Sequence, residues 1–194
     1  FIIGPCINAT GRLENAKLSV ELFIEEDIEK TYDLAKKLVY LNSERKDLTI
    51  KAAEEAIEYI ENTSLKNDNV LVVYNEEIHE SVAGIVAGRI KERFYKPVIV
   101  ITNTEDENIA KGSGRSIESY NIFEELLKCK ELFTKFGGHP MAAGLSLKKE
   151  NIDLLRNMLN ENSTLTEEDL TPVIKIEKQL DIDDINMNIA EELN

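Results

Sequence analysis

The chain has 194 residues, of which 42% are hydrophobic and 31% are charged, a composition typical of a folded globular protein rather than of a disordered chain. Its 37 acidic residues against 23 Lys and Arg give a formal net charge of -14, which argues against a nonspecific polyanion binder. The charge is uneven, however: residues 1–69 carry -5, residues 70–150 carry -1 and residues 151–194 carry -8, so an anion site is possible in the middle segment.

The rest of the composition bears on the type of protein and its compartment. No apolar run approaches the ~18 residues needed to cross a bilayer, so the sequence predicts no membrane partner. Two cysteines, Cys6 and Cys129, are too few for a disulfide framework or a structural zinc site and indicate a reducing compartment, the cytoplasm. The chain starts with neither Met nor a signal peptide, so we expect it to be part of a longer protein.

The first third of the chain predicts a loop followed by one long helix. Residues 4–16 are loop-like, and a helical pattern then runs from about Asp27, a possible N-cap, to Glu61. Without Gly or Pro, this segment can form a single helix of about 50 Å, the kind that connects two lobes. Its apolar stripe is predicted at Ile28, Tyr32, Ala35, Leu38, Val39 and Leu41.

From residue 70 the pattern changes to alternating strands and helices. An apolar run at 70–74, a helix at 81–94 and a second run at 98–102 predict a βαβ unit, with Gly84 and Gly88 allowing close packing of the helix. Further elements are predicted at 109–116 (strand), 122–130 (helix), 142–147 (strand), 151–160 (helix), 172–176 (strand) and 183–193 (acidic helix). The predicted fold is therefore α/β: a small parallel or mixed sheet flanked by helices and preceded by a long connector helix.

The segment at 111–116, KGSGRS, is the first candidate for chemistry. Two glycines allow close backbone approach to a ligand, and the hydroxyls and the guanidinium are donors suited to phosphate. A glycine-containing edge strand with a solvated arginine is the structural alternative.

The segment at 135–144, KFGGHPMAAG, is the second candidate. Gly137 and Gly138 can turn their N–H groups toward an anion as a nest, and His139 can donate a hydrogen bond or a proton beside them. A tight turn with a capping histidine is the alternative here.

Two further residues are weaker candidates. Arg12 follows a glycine and can present its guanidinium to a cleft, and His79 stands at a helix start, where it can either cap the helix or line a cleft. With only two histidines and no cysteine or carboxylate cluster beside them, we expect no metal site in this chain. The standard nucleotide-binding glycine motifs are missing.

Five of these features occur in an order that resembles the C-terminal half of RecJ-type single-strand-specific exonucleases of the DHH phosphoesterase superfamily. They are the segment at 4–13 (GPCINATGRL), the long helix, the segment at 79–87 (HESVAGIVA), the segment at 112–116 (GSGRS) and the segment at 137–144 (GGHPMAAG). The similarity covers about residues 1–160, and its most specific part is the Gly-Gly-His block.

The resemblance implies three parts: a connector at 1–66, a DHH-associated substrate-binding domain at 67–163, and the truncated start of an OB-like module at 164–194. It implies binding of single-stranded DNA, weak in isolation, for a 5′–3′ exonuclease. His139 would act as an auxiliary phosphate contact. The implied phosphate contacts are Arg12, Ser113, Arg115, Ser116, Gly137, Gly138 and His139.

Catalytic Mn²⁺ or Mg²⁺ would be held by an N-terminal domain that this chain lacks, so the fragment alone is expected to be inactive and to bind no cofactor. The missing catalytic domain would be its partner within the same protein. Three alternatives stay open: a short-oligonucleotide or bisphosphate nuclease of the same superfamily, a nonenzymatic interaction module, and an editing-type tRNA-associated domain.

Overall fold

Three helices form the N-terminal part of the chain. The computed structural model describes residues 2–176, 179, 182 and 187–192. The helices are α1 (Ile3–Leu13), α2 (Lys17–Ile24) and α3 (Ile28–Asn62). The loop expected at 4–16 is wrong, because Gly4 and Pro5 lie in the first turn of α1, where a missing N–H breaks no helical hydrogen bond. This helix packs against α3 and buries Cys6 and Ala9.

The long helix is continuous over 35 residues, as predicted. The Asp27 side chain caps it by accepting hydrogen bonds from the N–H groups of Glu29 and Lys30. Its buried side is not the predicted stripe, however: Leu38 and Leu41 are buried, whereas Ile28, Tyr32 and Val39 are exposed. Most of the burial lies further along the helix, at Asn42, Thr49, Ala52, Ala53, Ala56 and Ile60.

A five-stranded mixed sheet follows, in the order β1-β2-β3-β5-β4. Its strands are β1 (Leu71–Tyr74), β2 (Val98–Asn103), β3 (Ile109–Arg115), β4 (Phe133–His139) and β5 (Ala142–Lys148). β1 and β2 are parallel and connected by α4 (Glu80–Phe94), which confirms the βαβ unit. The remaining neighbours pair antiparallel.

Helices cover the two sides of the sheet with separate cores. On one side α3 and α4 pack on Leu71, Val73, Val98 and Val100. On the other side, α5 (Ile122–Leu127) and α6 (Ile152–Glu161) pack on alternate residues of the same strands and on β5. The alternation confirms that the apolar runs are strands buried on both faces.

The segment at 135–144 is a β-hairpin with a tight turn at Pro140 and Met141, and it forms no nest. β4 pairs with β5 from Phe133 to His139, with an irregularity between Phe133 and Lys135. A nest needs alternating right- and left-handed backbone, and no glycine among the described residues has a positive φ. The donors offered here are therefore side chains and the free edge of β4, and the predicted nest is wrong.

The C-terminal part differs from prediction. Within the described residues, 172–176 form no strand, and Val173, Ile174 and Ile176 are exposed. The predicted acidic helix is described only as α7 (Met187–Glu192), and its remaining residues, 183–186 and 193, lie outside the described residues. Within the described residues, no helix is both long and apolar enough to span a bilayer.

Candidate functional site

One side of the sheet is only partly covered by helices. On the side where α4 packs over β2 and β3, the outer strands β5 and β4 present exposed positions at Gly144, Gly137 and His139. Directly opposed residues of paired strands carry their side chains on the same face. We call this surface the open face and define it by three rows of opposed residues. The rows are Arg115–Ala142–His139, Ser113–Gly144–Gly137 and Lys111–Ser146–Lys135.

The open face has a floor of small residues and a polar, basic rim. Its central strand contributes Ala142, Gly144 and Ser146, whose side chains rise little above the backbone. Since neighbouring strands lie ~4.8 Å apart, the outer members of each row are separated by about 10 Å. This spacing leaves a shallow channel that runs along the strands, with cationic side chains on both sides.

Two arginines from distant parts of the chain converge at the N-terminal end of α4. Arg12, in the last turn of α1, donates from Nη1 to the carbonyl oxygen of Ser81 at 2.5 Å. Arg115, at the end of β3, donates from Nη1 to the carbonyl oxygen of Gly114 at 2.7 Å. Burial, and then repulsion from Arg12, lowers the pKa of Arg115. Neither guanidinium forms an ion pair with any described residue, so two like charges meet without a carboxylate between them.

The start of α4 adds further positive potential at the same place. His79 is the N-cap: its Nδ1 accepts from the N–H of Ser81 at 3.3 Å and lies 2.7 Å from the Ser81 hydroxyl. The capping interpretation of His79 is therefore confirmed. A helix N-terminus carries a partial positive charge, which reinforces the attraction of an anion to the two arginines.

The other end of the open face is a cleft of about 470 Å³ between α4 and β4. Lys111 and Lys135 line it together with Ser113. Lys111 is paired with Glu80 at 2.8 Å, whereas Lys135 is exposed and forms no ion pair within the part of the chain that the structure describes. This end is therefore positive through Lys135.

The structure brings some of the predicted site residues together and not others. Arg115, Ser113, Gly137 and His139 lie on the open face, and Arg12 reaches it from α1. His139 is exposed at the end of β4. These residues therefore lie on or beside one surface.

Ser116 and Gly138 have structural surroundings instead. Ser116 is 1% exposed, and its hydroxyl donates to the carbonyl oxygen of Tyr120 at 2.6 Å. A Cβ on Gly138 would lie 2.5 Å from the carbonyl oxygen of Ala142, so this glycine permits the close approach of β4 to β5.

The glycines of β3 also point to the core, which differs from the ligand approach suggested by their sequence. Added Cβ atoms on Gly112 and Gly114 would meet the side chains of Leu145 and Ile122, respectively. They serve the packing beneath β3.

The described residues contain no cluster of three His, Cys, Asp or Glu side chains that could hold a metal ion. The described residues therefore offer no such set of ligands for a divalent metal, which the family resemblance assigns to an N-terminal domain.

A protein-family model matches the part of the chain that forms the open face. Residues 67–163 match the model of the DHHA1 domain, which includes the whole sheet, α4 and the open face. The chain belongs to the DHHA1 domain family. Arg12 lies outside the matched residues, so one of the two converging arginines reaches the DHHA1 domain from α1.

Similar proteins extend over more of the chain than the DHHA1 domain itself. The single-stranded-DNA-specific exonuclease RecJ of Bacillus subtilis is 41% identical over 100% of this chain and 25% of that protein. RecJ of Haemophilus influenzae is 35% identical over 98% of this chain and 35% of that protein. The chain thus spans a quarter to a third of the length of these curated relatives, and the resemblance to RecJ predicted from the sequence is confirmed.

A solved structure agrees with the fold. RecJ of Thermus thermophilus in complex with Mn²⁺ superimposes with a TM-score of 0.74 at 27% identity, covering 83% of this chain and 23% of that one. The predicted α/β class is confirmed by the sheet and by this superposition.

Sequence reasoning missed three contributors to the site. Lys111, Lys135 and Ser146 join the open face only through strand register, and Lys135 lies on a strand that was not predicted. The alternation of Lys111, Ser113 and Arg115 at every second position was the available signal for the first of them.

Proposed function

We propose that the open face binds the phosphate backbone of single-stranded DNA, as the substrate-binding part of a RecJ-type 5′–3′ exonuclease. The observation that carries the proposal is the convergence of Arg12 and Arg115, without a carboxylate partner among the described residues, at the N-terminus of α4. Two repelling cations held in one place are stabilised by an anionic ligand, and a phosphodiester supplies the charge and the acceptors.

Relatives support the chemical class of the ligand. The B. subtilis protein, 41% identical over the whole chain, is named as an exonuclease specific for single-stranded DNA. The 5′–3′ direction comes from the family resemblance alone. Because this chain spans a quarter of that relative, the activity of the whole protein is part of the proposal.

The residues of the open face would bind and orient the strand. Arg115 and Arg12 donate charge-assisted hydrogen bonds to one phosphate, and the Ser113 hydroxyl adds a neutral donor beside them. His139, about 10 Å across the floor from Arg115, donates to the phosphate next to the scissile bond. Binding in a fixed orientation is a contribution to rate that needs no chemistry from these residues.

Hydrolysis itself would be performed outside this chain. T. thermophilus RecJ was solved with Mn²⁺ and with Mg²⁺, and such ions supply an activated water and charge stabilisation at phosphorus. Since the described residues hold no suitable cluster, we assign those ions to a separate catalytic domain and expect no nuclease activity from these 194 residues alone.

The domain assignment belongs to the same proposal. Residues 1–66 would be the connector to the catalytic domain, residues 67–163 the binding domain, and residues 164–194 the start of a following module. The two free, buried cysteines support a reducing compartment, the cytoplasm, for the whole protein.

A binding experiment with matched variants tests the function. Fluorescence anisotropy with a labelled oligo-dT measures the Kd of the wild type, of Arg115→Ala and of Arg89→Ala, an exposed arginine of α4. Loss of a hydrogen bond to a charged group is worth roughly 10-fold or more in Kd. We expect that loss for Arg115→Ala and no change for Arg89→Ala.

Three results would contradict the proposal. Equal binding by the two variants would remove Arg115 from the site and favour a nonenzymatic module that binds protein. Equal affinity for duplex and single strands would remove the strand preference. Release of nucleotides by the purified 194 residues with Mn²⁺ would overturn the assignment of catalysis to another domain.

A further inference from the structure

Helix α4 packs against β3 at Gly84, a residue without a side chain. A Cβ atom built on Gly84 would lie 2.8 Å from Nη2 of Arg115 and 2.8 Å from Oγ of Ser113. Both distances are shorter than any ordinary contact of a carbon, and the next guanidinium atom, Cζ, would be 3.4 Å away. The guanidinium and the hydroxyl therefore occupy space that is available only because residue 84 is glycine.

This space fixes the orientation of Arg115. The guanidinium is bounded by the α4 backbone on one side, and its Nη1 is held by the carbonyl oxygen of Gly114 at 2.7 Å. Arginine has five N–H donors, and this is the one hydrogen bond it forms to the described residues. The remaining N–H donors of Arg115 are held in a fixed orientation and are not hydrogen-bonded to the described residues. They can therefore bind a ligand without first being reoriented.

A second glycine in the same helix shows that α4 does not need glycine for packing in general. Gly88 lies about one turn further along, and a Cβ there would meet nothing within 4 Å. Glycine inside a helix is unfavourable relative to alanine at both positions. At Gly84 this cost is explained by the space that Arg115 and Ser113 occupy. At Gly88 no neighbouring atom explains it.

We propose that Gly84 is a positioning residue, which sets Arg115 and Ser113 in the geometry for binding a phosphate. The inference rests on the proposed function and deepens it. A methyl group at residue 84 meets the mobile ends of two side chains rather than backbone, so the variant is expected to fold while the guanidinium and hydroxyl are displaced.

Two alanine variants and a double-mutant cycle test this. Gly84→Ala should weaken oligo-dT binding 5- to 10-fold, about the loss of one charged hydrogen bond. It should also lower the slope of log K against log salt by up to about 0.7, the value for one phosphate contact on a single strand. Gly88→Ala should bind as the wild type, with a Tm raised by roughly 2–4 °C.

The cycle separates positioning from a general structural role. If Gly84 acts through Arg115 and Ser113, adding Gly84→Ala to the variant Arg115→Ala/Ser113→Ala should weaken binding no further. Additive losses would overturn the proposal, as would wild-type binding by Gly84→Ala beside a weakened Arg115→Ala. Wild-type binding by Arg115→Ala would overturn both this inference and the proposed function, so the two failures are distinct.

Should Gly84→Ala lose its fold, Gly84→Ala/Ser113→Ala removes one of the two clashing atoms. Recovery of Tm without recovery of binding would support positioning of Arg115. Failure to regain any Tm would show that the contact is structural and would overturn the proposal.

Discussion

Arg12 donates a hydrogen bond of 2.5 Å from Nη1 to the carbonyl oxygen of Ser81, across 69 positions of sequence. This contact connects the helical N-terminal part to the first turn of α4. It brings a cation from outside the DHHA1 domain to the guanidinium of Arg115. The candidate site thus depends on how α1 docks against the domain.

We predict that Arg12→Ala weakens oligo-dT binding about 3- to 10-fold, because one cation is lost from the site. The Tm should change little, since an exposed arginine contributes less than about 1 kcal/mol to the free energy of unfolding. Anisotropy titrations and thermal melts measure the two effects. Lys17→Ala, an exposed charge on α2, is the control and should bind as the wild type.

We predict that Lys135→Ala lowers the salt dependence of binding without altering base preference. One phosphate contact fewer reduces the slope of log K against log salt by about 0.7 on a single strand. The affinities for oligo-dT and oligo-dA should fall by the same factor, because a lysine that contacts phosphate does not contact the bases. Lys46→Ala, on α3, removes the same charge elsewhere, and an equal change in slope there would contradict a local contact.

We predict that Tyr120→Phe is neutral or stabilises the protein by up to about 1 kcal/mol. The Tyr120 hydroxyl is buried and has no hydrogen-bond partner among the described residues, so its removal forfeits no bond. Urea unfolding at pH 7 measures the effect. Ser116→Ala is the informative contrast, because its buried hydroxyl is bonded and its loss should destabilise.

The same tyrosine predicts an alkaline loss of stability. Burial, then the negative charges of Glu125 and Cys129, raises the pKa of Tyr120 above its usual value near 10. The folded state therefore keeps the proton where the unfolded state releases it, and stability falls as pH rises above about 10. Unfolding free energies across this range should fall less steeply in Tyr120→Phe; identical slopes would exclude Tyr120 as the cause.

We predict that Asp68→Asn destabilises the domain by about 1–3 kcal/mol. The Asp68 carboxylate accepts from Nε and Nη2 of Arg156 at 2.5 and 3.1 Å, and this pairing raises the pKa of the arginine. The pair joins the segment just before β1 to α6, with side chains only 15% and 28% exposed. A double-mutant cycle in urea measures it, and a coupling near zero would contradict this role. The exposed pair Lys148–Glu150 is the control and should give less than about 0.5 kcal/mol.

Prediction from sequence succeeded for elements whose burial requires a continuous run of apolar residues. The runs at 70–74 and 98–102 are buried on both faces, and their continuous apolar sequence is enough to identify parallel strands. β4 was missed because its residues from Thr134 to His139 are mostly exposed, so pairing with β5 rather than its own composition makes it a strand. Similarly, Gly4 and Pro5 suggest a loop until packing on α3 is known.

The candidate site likewise combines residues that the local sequence identifies with contacts that only the three-dimensional structure shows. Arg115 and His139 were recognised by motif, but their common face follows from registers that no local pattern contains. Ser116 is the neighbour of Arg115 in sequence, yet it lies in the buried loop after the strand. The contact of Gly84 with Arg115 joins a helical position to a strand position 31 residues away, and only coordinates reveal it.

The floor of the open face has one more consequence. Ala142, Gly144 and Ser146 present mostly main chain, and the rim offers charge rather than shaped hydrogen-bonding pockets. A surface of this kind has nothing with which to distinguish adenine from thymine. If the proposed function holds, each nucleotide of a bound strand would make the same backbone contacts, so we expect equal affinity for oligo-dA and oligo-dT.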